Sequence, residues 1–256
     1  MPRWGKEFQR FSKSFPRVTD GQWGQLEQFA EHIYDWNSKV NLVSRKDVDN
    51  LVENHLVPCM SIGLLRPFRN SETIVDVGSG AGLPGIPLAI MFPKAKFTLM
   101  DGSSKKCKIL EEAVDKLKLE NVDVVDCRSN EFKRDRFDFL LGRGVSSIPE
   151  FLVSSSHLVK RPLTRKFYHP RTVTSGLLYL KGGDYRSELE HASIQSYART
   201  VVKSLVPKLA ENDKSILHIP TLEVRKFLTW KRKLQEQQRI QHKKGNSSSV
   251  HPPRVF

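Results

Sequence analysis

The sequence predicts a doubly wound α/β fold, a mostly parallel sheet with helices on both faces, carrying a helical extension at its N-terminal end. Three observations predict it. From residue 73 onward, short apolar runs alternate with helical stretches. A glycine-rich turn, "GSGAG" at 78–82, stands directly behind the first run. Before residue 70 nothing reads as a strand, while two stretches carry helical spacing. Runs rich in Val, Ile, Leu and Phe, each followed by a helix, are the pattern of parallel strands buried on both faces.

Residues 20–37, "DGQWGQLEQFAEHIYDWN", place Trp23, Leu26, Phe29 or Ala30, Ile33 and Trp36 at spacings of three and four. One face of a helix is therefore apolar, with Asp20 as its expected cap. A second amphipathic helix is expected from Asp47 through Val48, Leu51, Val52, Leu56 and Met60, kinked or interrupted by Pro58. The alternating part then reads "TIVDVG", a helix near 85–92, "KFTLMD", a helix over 104–117, "VDVVDC" and "FDFLLGR". Further strands are expected at 176–182, 199–206 and 215–220. Beyond Pro220 a polar, basic helix leads into a Gly/Ser/Pro-rich end expected to be disordered. The organisation is thus a basic segment 1–17, one domain over 18–220 (helical part 18–70, α/β core 71–220), and a basic tail 221–256.

A chain of 256 residues buries one enzyme-sized core. Its formal charge is +14, and the excess is unevenly placed. Segment 1–17 holds five Lys/Arg against one acid, an insertion at 160–171 five against none, and the tail nine against two. The remainder is close to neutral, so the charge points to a polyanionic partner reached by appendages. There is no apolar stretch long enough to cross a membrane, and the N-terminus lacks the apolar core of a secretory signal. A soluble, unsecreted protein without a membrane role is expected. Cys59, Cys107 and Cys127 lie far apart, with no CxxC and no His at ligand spacing, which fits reduced structural thiols and no metal site.

In an open parallel sheet the ligand sits outside the carboxyl ends of the strands, and the first strand–turn–helix forms that crevice. Gly78, Gly80 and Gly82 permit positive φ and close backbone approach, while the next helix aims free N–H groups at the ligand. Pro84 or Pro87 suits an early helical position. Such a turn can cradle a dinucleotide, a phosphate or a methyl donor. "GAGLPG" at 80–85 matches the dinucleotide spacing, but in the frame that begins at Gly78 the third position is Leu83, which denies the close helix–strand packing of a glycine. Asp76, a carboxylate before the turn, repels a pyrophosphate and suits a cationic, amino-acid-bearing ligand such as S-adenosylmethionine. Asp101 ends the second strand, where an acid accepts hydrogen bonds from ribose hydroxyls; the alternative is a cap on the helix that follows, a task Ser103 also fits. "CRSNEF" places Arg128, Ser129 and Asn130 where a loop meets an adenine ring.

The methyl acceptor leaves its own marks. Cytosine C5 transfer needs a cysteine nucleophile, but Pro58-Cys59 precedes the turn within a helical pattern and reads as core. The fourth strand ends "LLGRGVSS", without the Asn/Asp-Pro-Pro-aromatic loop of adenine amino transfer, and "HPPR" lies in the tail. Guanine N7 needs neither device, because its lone pair is free and no proton leaves before attack; alignment and charge stabilisation suffice. Arg143, at the end of the fourth strand, suits a phosphate or the Hoogsteen face of guanine, or else a carboxylate at the sheet edge.

"DVGSGAGLPGIPLAI" followed by "FTLMDGSSKKCKIL" closely resembles the bacterial family that methylates N7 of a guanine in small-subunit ribosomal RNA, also called the glucose-inhibited division protein B family. "DWNSKVNLVS", His55, "FDFLLGRGVSSI" and "LYLKGG" resemble further segments of it, over roughly residues 20–220. The resemblance implies a Rossmann-like, class I S-adenosylmethionine-dependent methyltransferase fold, S-adenosylmethionine as cofactor, small-subunit rRNA or the ribosomal subunit as partner, and a monomer. It places Gly78, Leu83, Ser129, Asn130 and Arg143 on cofactor-contact positions, with Asp76 and Asp101 as further pocket acids. Arg45, Lys46, His55, Arg143 and Lys181 fall on or beside positions facing the RNA, against a core or capping role for His55 read from its position alone.

Pro58 and Cys59 stand where the family continues with Asp-Ser, and Gly142-Arg143-Gly144 replaces Ser-Arg-Ala, which keeps the arginine but loosens its expected support. The 160–171 insertion and the tail have no counterpart, which suggests an organelle-directed relative as an alternative to a bacterial cytoplasmic protein. Those departures and the segregated charge motivate a second function, an RNA-binding ribosome-assembly factor that keeps the fold without turnover. A nicotinamide-dependent oxidoreductase is the third.

Overall fold

Seven strands form one sheet among the described residues: β1 Thr73–Val77, β2 Lys96–Asp101, β3 Val122–Asp126, β4 Phe139–Arg143, β5 Gly176–Lys181, β6 Ala198–Val201 and β7 Ser215–Pro220. The computed structural model describes residues 3–133, 136–161, 173–210 and 213–229. Apart from Lys160, Arg161 and residues 221–229, the basic insertion and tail expected from the sequence lie outside the described residues. The strand order is β3-β2-β1-β4-β5-β7-β6. Strands β1 to β5 are parallel; β7 runs antiparallel to β5, and β6 lies antiparallel to β7 at the edge. This is the class I S-adenosylmethionine-dependent methyltransferase arrangement that the resemblance implied.

The apolar runs make this sheet because both faces are covered. Ile74, Leu99, Phe139 and Leu141 join one core, Val75, Met100, Leu140 and Tyr179 the other. Successive residues thus go to opposite layers, and a buried strand reads as continuous hydrophobic sequence. Because β2 and β4 flank β1 on opposite sides, the chain reverses direction across the sheet there and opens a crevice at the carboxyl ends of β1 and β4.

The helices are α1 Gly5–Phe11, α2 Asp20–Asn37, α3 Val57–Leu65, α4 Gly85–Met91, α5 Ser104–Leu117, α6 Ile148–Ser155, α7 Arg186–His191 and α8 Val202–Leu205, with a further helix over 221–229. Thr19, not Asp20, caps α2: its hydroxyl accepts from the Gln22 N–H at 3.3 Å while the Gln22 side chain accepts from the Thr19 N–H at 2.9 Å. The described part of the basic segment 1–17 is no appendage. Trp4, Phe8, Phe11 and Phe15 are buried in the first core, and the Phe8 ring lies 5.7 Å from that of Trp23. Their spacing of three and four was the available sign, masked by the charges between them.

Two expected elements differ. The helix expected from Asp47 is a 3₁₀ turn at Val48–Asn50, a π turn at Val52–Leu56, then α3. Pro58 causes this, because an α-helix through it needs an N–H that proline lacks. The backbone N–H of Val57 reaches Val52, five residues back, and Pro58 enters the first turn of α3, where the missing donor costs nothing. The strand expected over 199–206 ends at Val201 and turns into α8. Val202, Val206 and Leu209 are buried and Leu205 packs beside them, a helical spacing that β-branched content obscured.

Candidate functional site

The turn after β1 is built by its glycines and one serine. Gly78, Gly80 and Gly82 take φ of +70°, +56° and +83°. A methyl group on Gly82 would sit 2.6 Å from the Ile86 side chain, and one on Gly78 would sit 2.8 Å from Val145. Ser79, buried, donates to the Asp76 carbonyl at 2.8 Å and accepts from the Met100 N–H at 3.0 Å, fastening the turn between β1 and β2. Sequence reasoning passed over Ser79; its place between two glycines was the only sign.

Close helix–strand packing, which the frame ending at Leu83 was expected to deny, is supplied by Gly85. A Cβ there would lie 2.8 Å from Asp76 Oδ2 and inside the space of Leu99. The glycine frame therefore does not separate a dinucleotide from a methyl donor, and Asp76 carries that distinction. Leu83 itself is buried in the core, and its peptide bond to Pro84 is cis.

Asp76, the residue before the last of β1, is fully enclosed. Its Oδ2 accepts from the Gly85 N–H at 2.8 Å, while its Oδ1 is buried with no hydrogen-bond partner among the described residues. Burial pushes the carboxyl up to about 7, against the pull of the Gly85 N–H and the Arg143 charge. A buried acceptor left without a partner is where a cationic donor from a ligand fits. Asp101 holds the opposite lip of the turn: Oδ2 accepts from the Gly80 N–H and Oδ1 from the Ser103 N–H, both at 2.9 Å. Ser103 occupies the cap position of α5 without a side-chain bond. Ser129 and Asn130 follow β3, half-buried and exposed, on a loop that approaches Gly102 through the Arg128 side chain.

Arg143 ends β4 beside Asp76 and donates through Nη2 to Nδ1 of His55 on the π turn. His55 Nε2 faces Asp47 Oδ2 at 3.7 Å. Burial, then the Arg143 charge, lowers the imidazole to about 4, so the ring is neutral and its Nδ1 is free to accept. The support expected to loosen around Arg143 is intact. Gly142 lies under the rings of Tyr179 and Phe151, where a methyl would come within 2.6 Å of Tyr179. The Tyr179 hydroxyl donates to the Ser146 carbonyl at 2.7 Å and steadies the loop after β4. Gly144 takes φ +59° in that loop, and Val145, 43% exposed, leans over Gly78.

The remaining residues are divided. Arg45 and Lys46 are exposed in the turn that leads to Asp47, at the rim near His55. Lys181 ends β5 but its ammonium is held by Glu188 at 2.7 Å, and the other Glu188 oxygen accepts from the Ile148 N–H at the start of α6. Cys59 is core, its thiol pushed up to about 11 by burial.

The crevice therefore joins Asp76, the glycine turn, Asp101, Arg143 and His55. Comparison with known proteins agrees with the segments that resembled a family. The model described as GidB, rRNA small subunit methyltransferase G, matches residues 22–217. The chain is 39% identical over 178 residues to the ribosomal RNA small subunit methyltransferase G of Flavobacterium johnsoniae, covering 70% of this chain and 82% of that one. It is 35% identical over 199 residues to the protein of that name from Bacteroides thetaiotaomicron, covering 78% and 91%. Among solved structures it is similar to a precorrin-6y C5,15-methyltransferase from Geobacter metallireducens, with a TM-score of 0.46 and 12% identity over 69% of this chain and 88% of that one. No helix among the described residues is long and apolar enough to cross a membrane. With the family model running from near the start of α2 through the glycine turn into β7, the chain belongs to the rRNA small subunit methyltransferase G family.

Proposed function

We propose that the protein transfers a methyl group from S-adenosylmethionine to N7 of a guanine in small-subunit ribosomal RNA. The observation that carries this reading is the buried, unpartnered Asp76 Oδ1 near the carboxyl end of β1, on the strand next to that of Arg143. S-adenosylmethionine, when bound, supplies an electrophilic methyl on a sulfonium. Asp76 neutralises the ammonium of its amino-acid end, the turn at Gly78, Gly80, Gly82 and Leu83 receives its body through backbone groups, and Asp101 accepts from the ribose hydroxyls. Ser129 and Asn130 meet the adenine.

Arg143 serves both sides of the crevice. Its guanidinium carries five N–H donors, of which His55 takes one, leaving a fork for the cofactor side and for O6 of the guanine. N7 brings its own lone pair, so the chain needs to supply alignment and dispersal of charge and no general base. Arg45, Lys46 and, in part, Lys181 line the approach of the RNA, which the overall charge of +14 favours, whereas His55, expected to face the RNA, is buried and acts through Arg143. The same reading makes the protein a monomer acting where small subunits are assembled, in the bacterial cytoplasm or in the matrix or stroma of an organelle.

Methyl-labelled cofactor, offered with small-subunit and with large-subunit RNA, tests the reading. Label in small-subunit RNA alone is expected. Salt-sensitive RNA binding without transfer to either RNA or assembled subunits would leave the assembly-factor reading in its place.

A further inference from the structure

Lys214 stands just before β7. Its carbonyl accepts from the Val202 N–H at 3.0 Å, and its ammonium crosses to the N-terminal helical part, donating to the Asn54 carbonyl at 2.8 Å. That carbonyl lies four residues before Pro58, which has no N–H to offer it, and the Val57 N–H is committed to Val52 in the π turn. The lysine thus stands in for an amide that the sequence removed. The turn is gripped on its other flank as well: Glu53 accepts from the Ala210 N–H at 2.8 Å and pairs with Arg10 at 2.8 Å, and Arg10 donates to the Lys208 carbonyl at 3.1 Å. His55, next along this turn, is the residue that takes the Arg143 hydrogen bond.

Holding a half-buried ammonium against this carbonyl carries a cost. Burial, then the neighbouring Arg143 charge, holds Lys214 below the ordinary ammonium range. A free carbonyl facing water would avoid that cost, whereas a fixed turn needs the contact.

We propose that Lys214 is a positioning residue for methyl transfer: through the Asn54 carbonyl it fixes the π turn that holds His55 against Arg143, and so aims the guanidinium into the crevice. The inference rests on the role given to Arg143 above.

The test uses the full chain with Lys214→Met, Lys214→Arg, His55→Ala and the double variant Lys214→Met/His55→Ala, and it measures single-turnover transfer to small-subunit RNA alongside calorimetric affinity for S-adenosylmethionine. Lys214→Met is expected to slow transfer roughly ten- to hundredfold, the scale of a small misplacement of a reacting group. Cofactor affinity should fall far less than the rate, because Asp76, Asp101 and the glycine turn hold the cofactor without Arg143, a split that separates aim from binding. Lys214→Arg should recover most of the rate, since its guanidinium reaches the same carbonyl. Because Lys214 acts through His55, the double variant should be no slower than His55→Ala alone. Wild-type transfer by Lys214→Met, or losses that add in the double variant, would overturn the inference. Should Lys214→Met not fold, Lys214→Gln carries the same cycle. Arg143→Met separates the two levels: normal transfer there removes the role of Arg143 itself, whereas impaired transfer there with normal transfer by Lys214→Met removes only that of Lys214.

Discussion

Arg143 Nη2 donates to His55 Nδ1 across 88 residues of sequence, joining the end of β4 to the π turn before α3. The bond ties an always-charged donor to a ring kept neutral, so the arginine retains its full charge toward the crevice. His55 should therefore titrate near 4 in an NMR experiment. Arg143→Met should raise that midpoint only part of the way toward the ordinary 6.5, because burial, the larger cause, remains. The folded value lies below the unfolded one, so the native state binds fewer protons, and stability from this group is lost as pH falls from 6.5 through about 4. An unchanged midpoint in Arg143→Met would show that the two groups are not coupled.

Asp76 titrates the other way. Its folded value, about 7, lies above the ordinary 3.8, so in the free protein its contribution to stability is full below 3.8 and is lost as pH rises through about 7. A ligand ammonium needs the carboxylate. Cofactor affinity should therefore increase by up to about tenfold per pH unit between about pH 5.5 and 7, then level off. Asp76→Asn should weaken binding and flatten the profile, which calorimetry at a series of pH values would measure.

The glycines of the turn differ in what they exclude. Gly82→Ala must place a methyl against Ile86 at φ +83°, and Gly85→Ala must displace Leu99 and Asp76. Each should cost roughly 1–3 kcal/mol in urea unfolding. Gly80→Ala meets nothing nearer than the Gly78 carbonyl at 3.8 Å. It should cost only about 1 kcal/mol, the penalty of the left-handed conformation.

Phe8 is 2% exposed, packed on α2. Phe8→Ala should destabilise the protein by roughly 3–5 kcal/mol. An appendage would lose nothing, so the thermal or urea midpoint of this variant decides whether the N-terminal segment belongs to the fold.

Much of this was legible in sequence because the physics is local. Strand β1, the turn and Asp76 read directly, since a buried strand ending in a carboxylate before three glycines has few alternatives. Helix α5 was placed over 104–117, as observed, in the alternation of strand and helix. What escaped depends on distant partners. Gly85 was set aside with the formal dinucleotide match because the side chains that crowd it come from β1 and β2. The π turn was hidden because Pro58 announces only that an α-helix fails, while the remedy arrives from Lys214, 160 residues beyond Asn54. Gly142 read as a loss of support, since nothing local shows that Tyr179 occupies the space a side chain would fill.

RNA from cells with and without the protein, and RNA methylated by the purified chain, can be digested and its modified guanines mapped by mass spectrometry with N7-selective chain cleavage. One small-subunit guanine should carry a methyl at N7 when Asp76 and Arg143 are intact, and lose it in Asp76→Asn and Arg143→Met. A methyl on another atom or base, or full N7 methylation by both variants, would contradict the account.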